Sequence, residues 1–364
     1  MSKAAELAAL IGSQTALSNR NLIINGAMQV AQRGTSSTSS NIQTVDRFGC
    51  TPVNFDNLAF TQSQSSTAPD GFSNSWKIEV TTAETALAAD EHWYLATNFE
   101  AQNLQHLQYG DSGAKSITLS FWVRSSLTGK YSVLFHQPDA ARSNTPSFNV
   151  DAADTWEYKT ITIVGDTSGT INNDNGNGMT IHWVLAAGTD YAGTPHSDWG
   201  AYSATDDFAH SDNVDFSAQT GTFYITGVQL EVGEQATPFE HRSFADELAR
   251  CQRYYEKISV TAYCCMLSAE STIQAKGGVL QFRTEKRASP SVTFPTIGNS
   301  SGTIGYTGKT GTYVTQGSTL RSSNTVSQIS VYNGSADGFS GMTAGENVML
   351  YANGTLDIEL NSEL

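Results

Sequence analysis

Ile117-Thr-Leu-Ser-Phe-Trp-Val123 places apolar side chains at the odd positions and Thr118, Ser120 and Trp122 at the even ones. A period of two is typical of a β-strand with one buried face, because successive side chains of a strand point to opposite sides. The stretch therefore predicts a strand that lies over a hydrophobic core.

The chain around this strand repeats the same pattern in short segments separated by turns. Further strands are predicted at residues 131–135, 160–164, 179–185 and 222–230. Thr128-Gly129 precedes the first of these, and Gly165-Asp166 closes the second, as turn-forming residues do. Short strands at such spacing predict a mainly β protein, with an antiparallel jelly-roll sandwich over residues 21–242.

One segment has the periodicity of a helix. Its apolar side chains form a single stripe, made by Phe244, Leu248, Cys251 and Tyr255. Ser243 and Asp246 resemble a capping box at its start, and Arg253 and Lys257 lie where the helix dipole favours cations. We expect a connecting helix at residues 243–257, and its stripe is a candidate oligomer interface.

Residues 1–20 carry a second candidate interface, because Leu7, Leu10 and Leu17 fall at helical steps. The pattern predicts a short N-terminal helix that pairs with copies of itself and anchors the protein. A helix of barely four turns is marginal alone, so a frayed terminus is the open alternative.

Residues 258–364 are predicted to form a C-terminal β tip domain, which closes with the alternating strand Leu356-Asp-Ile-Glu-Leu360. Their many Gly, Ser, Thr and Asn residues are typical of segments that tolerate loop change. Tyr306, Tyr313 and Tyr332 are candidate contact residues of this domain, unless they pack between subunits.

The charge balance narrows the class of partner. Charged residues make up only 15% of the chain, and the formal net charge is −15. Affinity for nucleic acid and for anionic lipid depends on Lys and Arg, so we expect neither partner. No apolar run is long enough for a transmembrane helix, and the apolar stretch 7–11 is too short for a secretory signal. A neutral glycan or another protein fits this surface better.

Several stretches together resemble a recurring module of bacteriophage tail-fibre and tail-appendage proteins. They are Asn21-Leu-Ile-Ile-Asn-Gly-Ala-Met-Gln-Val-Ala-Gln-Arg-Gly34, Thr44-Val-Asp-Arg-Phe48, Phe223-Tyr-Ile-Thr-Gly-Val-Gln-Leu-Glu-Val-Gly233, Ala236-Thr-Pro-Phe-Glu-His-Arg242 and Glu247-Leu-Ala-Arg-Cys-Gln-Arg-Tyr-Tyr255. The resemblance implies a homotrimeric protein of the virion tail, assembled in the host cytoplasm. Its expected partners are other tail proteins and a host surface glycan or outer-membrane receptor.

The same module is similar to carbohydrate-binding jelly rolls, in which two acidic positions often hold a structural calcium. The corresponding positions here are Gln29 and Thr226. Neither supplies the carboxylate that a hard cation prefers, so we expect no calcium, no other metal and no cofactor.

The loop from Gly188 to Tyr202 is the candidate carbohydrate-binding segment, because it combines Tyr191, Trp199 and Tyr202 with neighbouring acids. Sugars stack on aromatic rings while carboxylates and amides bind their hydroxyls. The alternative is that Trp199 fixes the loop to the sandwich.

Catalytic signatures are absent from the sequence: there is no G-x-S-x-G elbow and no HExxH. His196 and His210 lie near Asp198, Asp206 and Asp207, but without metal-ligand spacing, which favours a solvated acidic loop. We therefore expect a receptor-binding protein and no catalytic site. Two alternatives stay open: a virion depolymerase that cuts polysaccharide, and a purely structural tail adaptor or head fibre.

Overall fold

A computed structural model describes residues 19–260, 263–294, 304–308, 311–312, 321–332, 342–352 and 356–364. The chain divides into two compact units, Met1–Glu247 together with Leu364, and Leu248–Glu363. The N-terminal helix expected at residues 1–18 lies outside the described residues. No helix among the described residues is both long and apolar enough to cross a bilayer.

The first unit contains two large antiparallel sheets. The six-stranded sheet has the order β1-β3-β4-β15-β6-β10. Its strands are β1 (Ser36–Ser37), β3 (Ala59–Ser65), β4 (Ser75–Thr82), β6 (Ile117–Ser125), β10 (Glu157–Ile163) and β15 (Gly221–Val232).

The other sheet of this unit has the order β13-β8-β7-β11-β5-β2, with β9 paired to β7. Its strands are β2 (Gly49–Val53), β5 (His92–Glu100), β7 (Gly129–Gln137), β8 (Arg142–Asn144), β9 (Ser147–Val150), β11 (Asn177–Ala187) and β13 (Gly200–Ala201). A short parallel pair, β12 (Ala192–Gly193) and β14 (Ala209–His210), lies in the loop after β11. Short helical turns occur at Ala101–Leu107, Ala204–Asp207 and Phe216–Ala218.

The chain passes back and forth between the two sheets, as in a jelly roll. In β6, Ile117, Leu119, Phe121 and Val123 are fully buried in the shared core, as their alternation predicts. The largest buried side chains of this core are Trp76, Trp93 and Trp183. The prediction of a mainly β, antiparallel sandwich is therefore confirmed.

The stretches that carry the phage-module resemblance meet in one buried hydrogen-bond network. The Asn21 carboxamide accepts the amide of Leu230 and donates to the carbonyl of Val228, so the first stretch is fixed to the third. The Asn25 side chain donates to the carbonyl of Asp46 in the second stretch, and the Asn25 backbone amide donates to the Glu247 carboxylate. These asparagines are buried and have all these partners, so the pattern serves the fold.

Residues 240–242, near the C-terminal end of this unit, complete the network. The guanidinium of Arg242 donates to the backbone carbonyls of Ile23 and Asn21 and pairs with Glu240 at 3.1 Å and with Glu247 at 3.5 Å. The Glu240 carboxylate accepts the amide of Asn21 and has a lowered pKa: burial opposes the charged form, but the Asn21 amide and Arg242 outweigh it.

The second unit is also built of antiparallel strands. One sheet has the order β16-β25-β19 and the other β21-β20-β24-β17-β18-β23-β22. The strands are β16 (Tyr255–Val260), β17 (Tyr263–Ala269), β18 (Ala275–Gln281), β19 (Ser291–Thr293), β20 (Ile304–Gly308), β21 (Gly311–Thr312), β22 (Arg321–Asn324), β23 (Gln328–Tyr332), β24 (Asn347–Ala352) and β25 (Leu356–Asn361). A fully buried Lys286–Glu256 ion pair, 2.6 Å long, lies among them.

The connecting helix is shorter than its stripe predicts. It spans Phe244–Gln252, and Tyr255 instead begins β16. A turn closes at the helix end, where the amide of Tyr254 donates to the carbonyl of Cys251, and β16 then pairs with β25 along its whole length. The prediction that residues 253–257 continue the helix was wrong, because pairing with a strand a hundred residues later decides their conformation.

Candidate functional site

The outward face of the second large sheet carries rings and imidazoles. In β5, Trp93 and Leu95 point into the core, so Tyr94 points outward; in β11, Ile181 and Trp183 point inward, and His182 points outward. His136 lies on the same outer side of β7, next to Phe135 in the core. The register brings these strands side by side, because Leu134 pairs with His182 and His182 with Ala96.

The loop between β11 and β15 forms a wall over part of this face. Phe208 is buried there in a small cluster with Leu134 and Val184, and Tyr191 and Tyr202 pack on that cluster. We call the set the aromatic–histidine face, and its members are Tyr94, His92, His136, His182, Tyr191, Tyr202 and Phe208.

The rings of this face are in direct contact. Tyr94 and His182 stack with their centroids 4.3 Å apart, and His92 lies 3.9 Å from Tyr191. Tyr202 covers His136 at 4.5 Å. Tyr94, His136, His182, Tyr191 and Tyr202 are only partly buried, so the cluster keeps an edge that a ligand can reach.

A buried carboxylate holds the wall in place. Asp207 is 1% exposed and accepts the backbone amides of Ser203, at 2.8 Å, and His196, at 3.3 Å. Its own carbonyl accepts the Thr145 hydroxyl at 2.5 Å. Phe208 follows directly in the chain, so these bonds set the position of the ring at the centre of the wall.

The imidazoles of the face are held neutral. Burial, followed by the proximity of His136 and His92, lowers the pKa of His182 to about 3. Burial also lowers the pKa of His92 and of His136. A neutral imidazole both donates and accepts a hydrogen bond, which suits a hydroxyl ligand.

The tyrosines beside them stay protonated for the same reason. Burial, and then Tyr191, Asp207 and Tyr94, raise the pKa of Tyr202 to about 12. Burial raises the pKa of Tyr94, although its hydroxyl bonds to Thr51.

Three polar atoms of this region are buried without a hydrogen-bond partner among the described residues: Nδ1 of His92, Nδ1 of His182 and Oγ of Ser143. Ser143, on β8, pairs in register with His136 on β7, whereas His182 lies on β11 opposite Leu134. An unpaired buried polar atom is costly, and a bound hydroxyl or water would satisfy it.

The structure separates the three residues proposed from sequence for carbohydrate binding. Tyr191 and Tyr202 lie together in the wall of the aromatic–histidine face. Trp199 packs elsewhere: its indole donates to the carbonyl of Val164 at 2.8 Å, and its ring meets Tyr109, at the edge of the main core. These are the contacts of a side chain that fixes its loop to the sandwich.

The other polar candidates of the loop have structural contacts. The His210 ring bonds to the carbonyl of Thr145, and the His196 ring lies 3.6 Å from the buried Asp207. No group of three His, Cys, Asp or Glu side chains suited to a metal occurs within the part of the chain that the structure describes. Thr226 donates its hydroxyl to the carbonyl of Asn74.

The candidate oligomer residues have different environments. Leu7, Leu10 and Leu17 fall outside the described residues. Phe244 is 55% exposed and Leu248 partly buried, whereas Cys251 and Tyr255 are buried within the single chain. Tyr313 and the side chains of Tyr306 and Tyr332 are likewise outside what the structure describes.

Sequence reasoning missed Tyr94, His182 and Phe208. Tyr94 and His182 occupy the outward positions of core strands, which alternation identifies only after the inward positions are known. Phe208 gave no signal, because it follows a four-residue helix, Ala204–Asp207, in a long loop.

A comparison with protein-family models gives no match, and neither does one with curated proteins. Among solved structures, the chain is similar to the enzymatically active domain of tailspike protein 4 of bacteriophage CBA120, at 10% identity and a TM-score of 0.32, over 58% of this chain and 21% of that one. It is also similar to the family 11 carbohydrate-binding module of the Clostridium thermocellum cellulase Lic26A-Cel5E, at 13% identity and a TM-score of 0.29, over 56% and 98% of the two chains. A third similar structure is the xylan-binding domain CBM22-1 of Paenibacillus barcinonensis Xyn10C, at 10% identity and a TM-score of 0.25, over 57% of this chain and 99% of that one.

Proposed function

We propose that the chain is a glycan-binding protein of a bacteriophage tail, and that the aromatic–histidine face is its binding site. The observation that carries the proposal is the half-buried group of Tyr94, His182 and His136 beside the wall of Tyr191 and Tyr202. Rings in this arrangement offer apolar surface to the C–H faces of a sugar, and the imidazoles and phenols offer hydrogen bonds to its hydroxyls.

The ligand we propose is a neutral glycan. The imidazoles of the face are uncharged at neutral pH, since burial lowers the pKa of each of the three. The buried carboxylate of the wall, Asp207, is bonded to backbone amides, so it serves the loop. We propose binding without cleavage.

The phage assignment rests on the sequence resemblance of residues 21–257. The structure supports a shared module to this extent: the resembling stretches meet in one buried network through Asn21, Asn25, Glu240 and Arg242. In this proposal the chain is a homotrimer located in the virion tail. Residues 1–20 bind other tail proteins, the sandwich forms the body and binds the host glycan, and residues 258–364 form the distal part that contacts an outer-membrane receptor.

The test is an array of bacterial surface polysaccharides probed with the labelled full-length protein. Tyr94→Ala and Tyr191→Ala should each weaken binding about tenfold, because each removes a ring from the site. Tyr191→Phe should keep most of the affinity, since it keeps the ring. Thr82→Ala, an exposed change on β4 of the other large sheet, is the control.

Two results would contradict the proposal. Unchanged binding by Tyr94→Ala and Tyr191→Ala would place the site elsewhere. Release of new reducing ends from a bound polysaccharide would show a depolymerase and not a simple binding protein.

A further inference from the structure

The opposite face of the sandwich has an unusual composition. The outward positions of β4, β6, β10 and β15 alternate with core residues such as Ile78, Leu119, Ile161 and Ile225. Those outward positions hold Ser, Thr, Lys, Arg, Glu, Gln, Trp and Tyr, and no aliphatic side chain. The exposed or partly exposed ones are Lys77, Glu79, Trp122, Arg124, Tyr158, Thr160, Thr162 and Thr222. The buried ones are Ser75, Thr118, Ser120, Tyr224, Thr226, Gln229 and Glu231.

Aromatic rings on this face form a strip. Tyr158 and Trp122 pair across β10 and β6 with ring centroids 5.3 Å apart, and Trp156 meets Tyr224 at 6.0 Å. Phe72 and Phe239, from adjoining loops, lie 5.0 Å apart. Tyr158 is 45% exposed, and Trp122, Trp156, Phe72 and Phe239 are partly exposed, whereas Tyr224 is buried beside Trp156.

Gly227 joins the two parts of the strip. It has a φ of +61°, which glycine tolerates, and it lies at the irregularity of β15 between Thr226 and Gln229. A Cβ at this position would lie 2.7 Å from Phe72 and 3.1 Å from Trp122. The missing side chain therefore lets both rings approach the same point of the sheet.

The charges on this face are balanced. Lys77 pairs with Glu79 at 2.7 Å, and Arg124 pairs with Asp154 at 3.5 Å while its guanidinium lies 5.3 Å above the Tyr224 ring. Both of these cations have an acid beside them, which disfavours an anionic ligand.

We propose that the exposed rings of this strip, Phe72, Trp122, Trp156, Tyr158 and Phe239, form a second saccharide-binding face for a neutral polysaccharide. Along β10 the exposed ring of Tyr158 alternates with the exposed hydroxyls of Thr160 and Thr162. A sugar presents the matching mixture of C–H faces and hydroxyls.

The test uses native affinity electrophoresis of the full-length protein in gels that contain soluble mixed-linked β-glucan, xylan or β-1,4-galactan. Trp122→Ala and Tyr158→Ala should each weaken retardation about tenfold on at least one of these polysaccharides. Trp122→Phe should retain part of the affinity. Thr61→Ala, on β3 of the same sheet but away from the strip, is the control.

The two faces are distinguished by combining variants. Tyr94→Ala should leave residual retardation, and adding Trp122→Ala should remove it. If Trp122→Ala and Tyr158→Ala migrate like the wild-type chain while Tyr94→Ala loses retardation, the second face is refuted and the proposed function stands. Absence of wild-type retardation by all three polysaccharides also refutes the second face. A change of oligomeric mass in Trp122→Ala, measured by light scattering, would make the strip a protein interface and overturn the proposal.

Discussion

His182 combines the features of the aromatic–histidine face in one side chain. Its ring stacks on Tyr94, its Nδ1 is buried without a hydrogen bond among the described residues, and its pKa falls to about 3. Such a residue must stay neutral in the folded protein, whereas the unfolded chain binds a proton at its ordinary pKa of about 6.5.

Acid should therefore destabilise the sandwich before most carboxylates titrate. The free energy of unfolding should be at its full value above about pH 6.5. Below that pH, each buried neutral histidine should lower it by about 1.4 kcal/mol per pH unit, until the pH reaches the pKa of that histidine in the folded protein. Urea unfolding between pH 7 and pH 4.5 measures this slope. His182→Gln should reduce this slope by the contribution of one histidine, about 1.4 kcal/mol per pH unit. An unchanged slope would mean that His182 is protonated in the folded state.

At the scale of the element, the loop between β11 and β15 depends on one carboxylate. Asp207→Ala removes the acceptor of the Ser203 and His196 amides, and we expect a loss of about 2 kcal/mol in the free energy of unfolding. Affinity for glycan should fall as well, because Phe208, Tyr191 and Tyr202 lose their support. Asp206→Ala removes the same charge from an exposed neighbour and should cost less than about 0.5 kcal/mol. Equal effects of the two changes, measured by urea unfolding, would contradict this role of Asp207.

The elements also show how far sequence reasoning reaches. Alternation predicted β6 because the strand's own period identifies its buried face. The helix end was not predictable from sequence, since Tyr255 continues the helical pattern of apolar residues but pairs with β25 as the first residue of β16. The site was predictable only in part: Tyr191 and Tyr202 lie in one loop, but Tyr94 and His182 are neighbours through strand register alone.

At the scale of the whole molecule, the proposed trimer rests on the sequence resemblance and not on a contact within the single chain. Cys251 and Tyr255 are already buried, so any shared helical interface must use the exposed Phe244 and the partly buried Leu248. A protomer of 39.1 kDa should give a particle of about 117 kDa in light scattering if three copies associate. Phe244→Asp should shift that mass toward the protomer. A mass near 39.1 kDa for the unmodified chain at micromolar concentration would refute the trimer.

The central claim is that glycan binds at the aromatic–histidine face, and footprinting of the full-length protein tests it most directly. The protein would be labelled by a carbene reagent with and without a saturating bacterial polysaccharide, and labelling would be read by mass spectrometry of its peptides. We predict protection of the peptides that contain Tyr94, His182 and Tyr191. Protection confined to residues 258–364, with these three peptides labelled as in the free protein, would contradict the account.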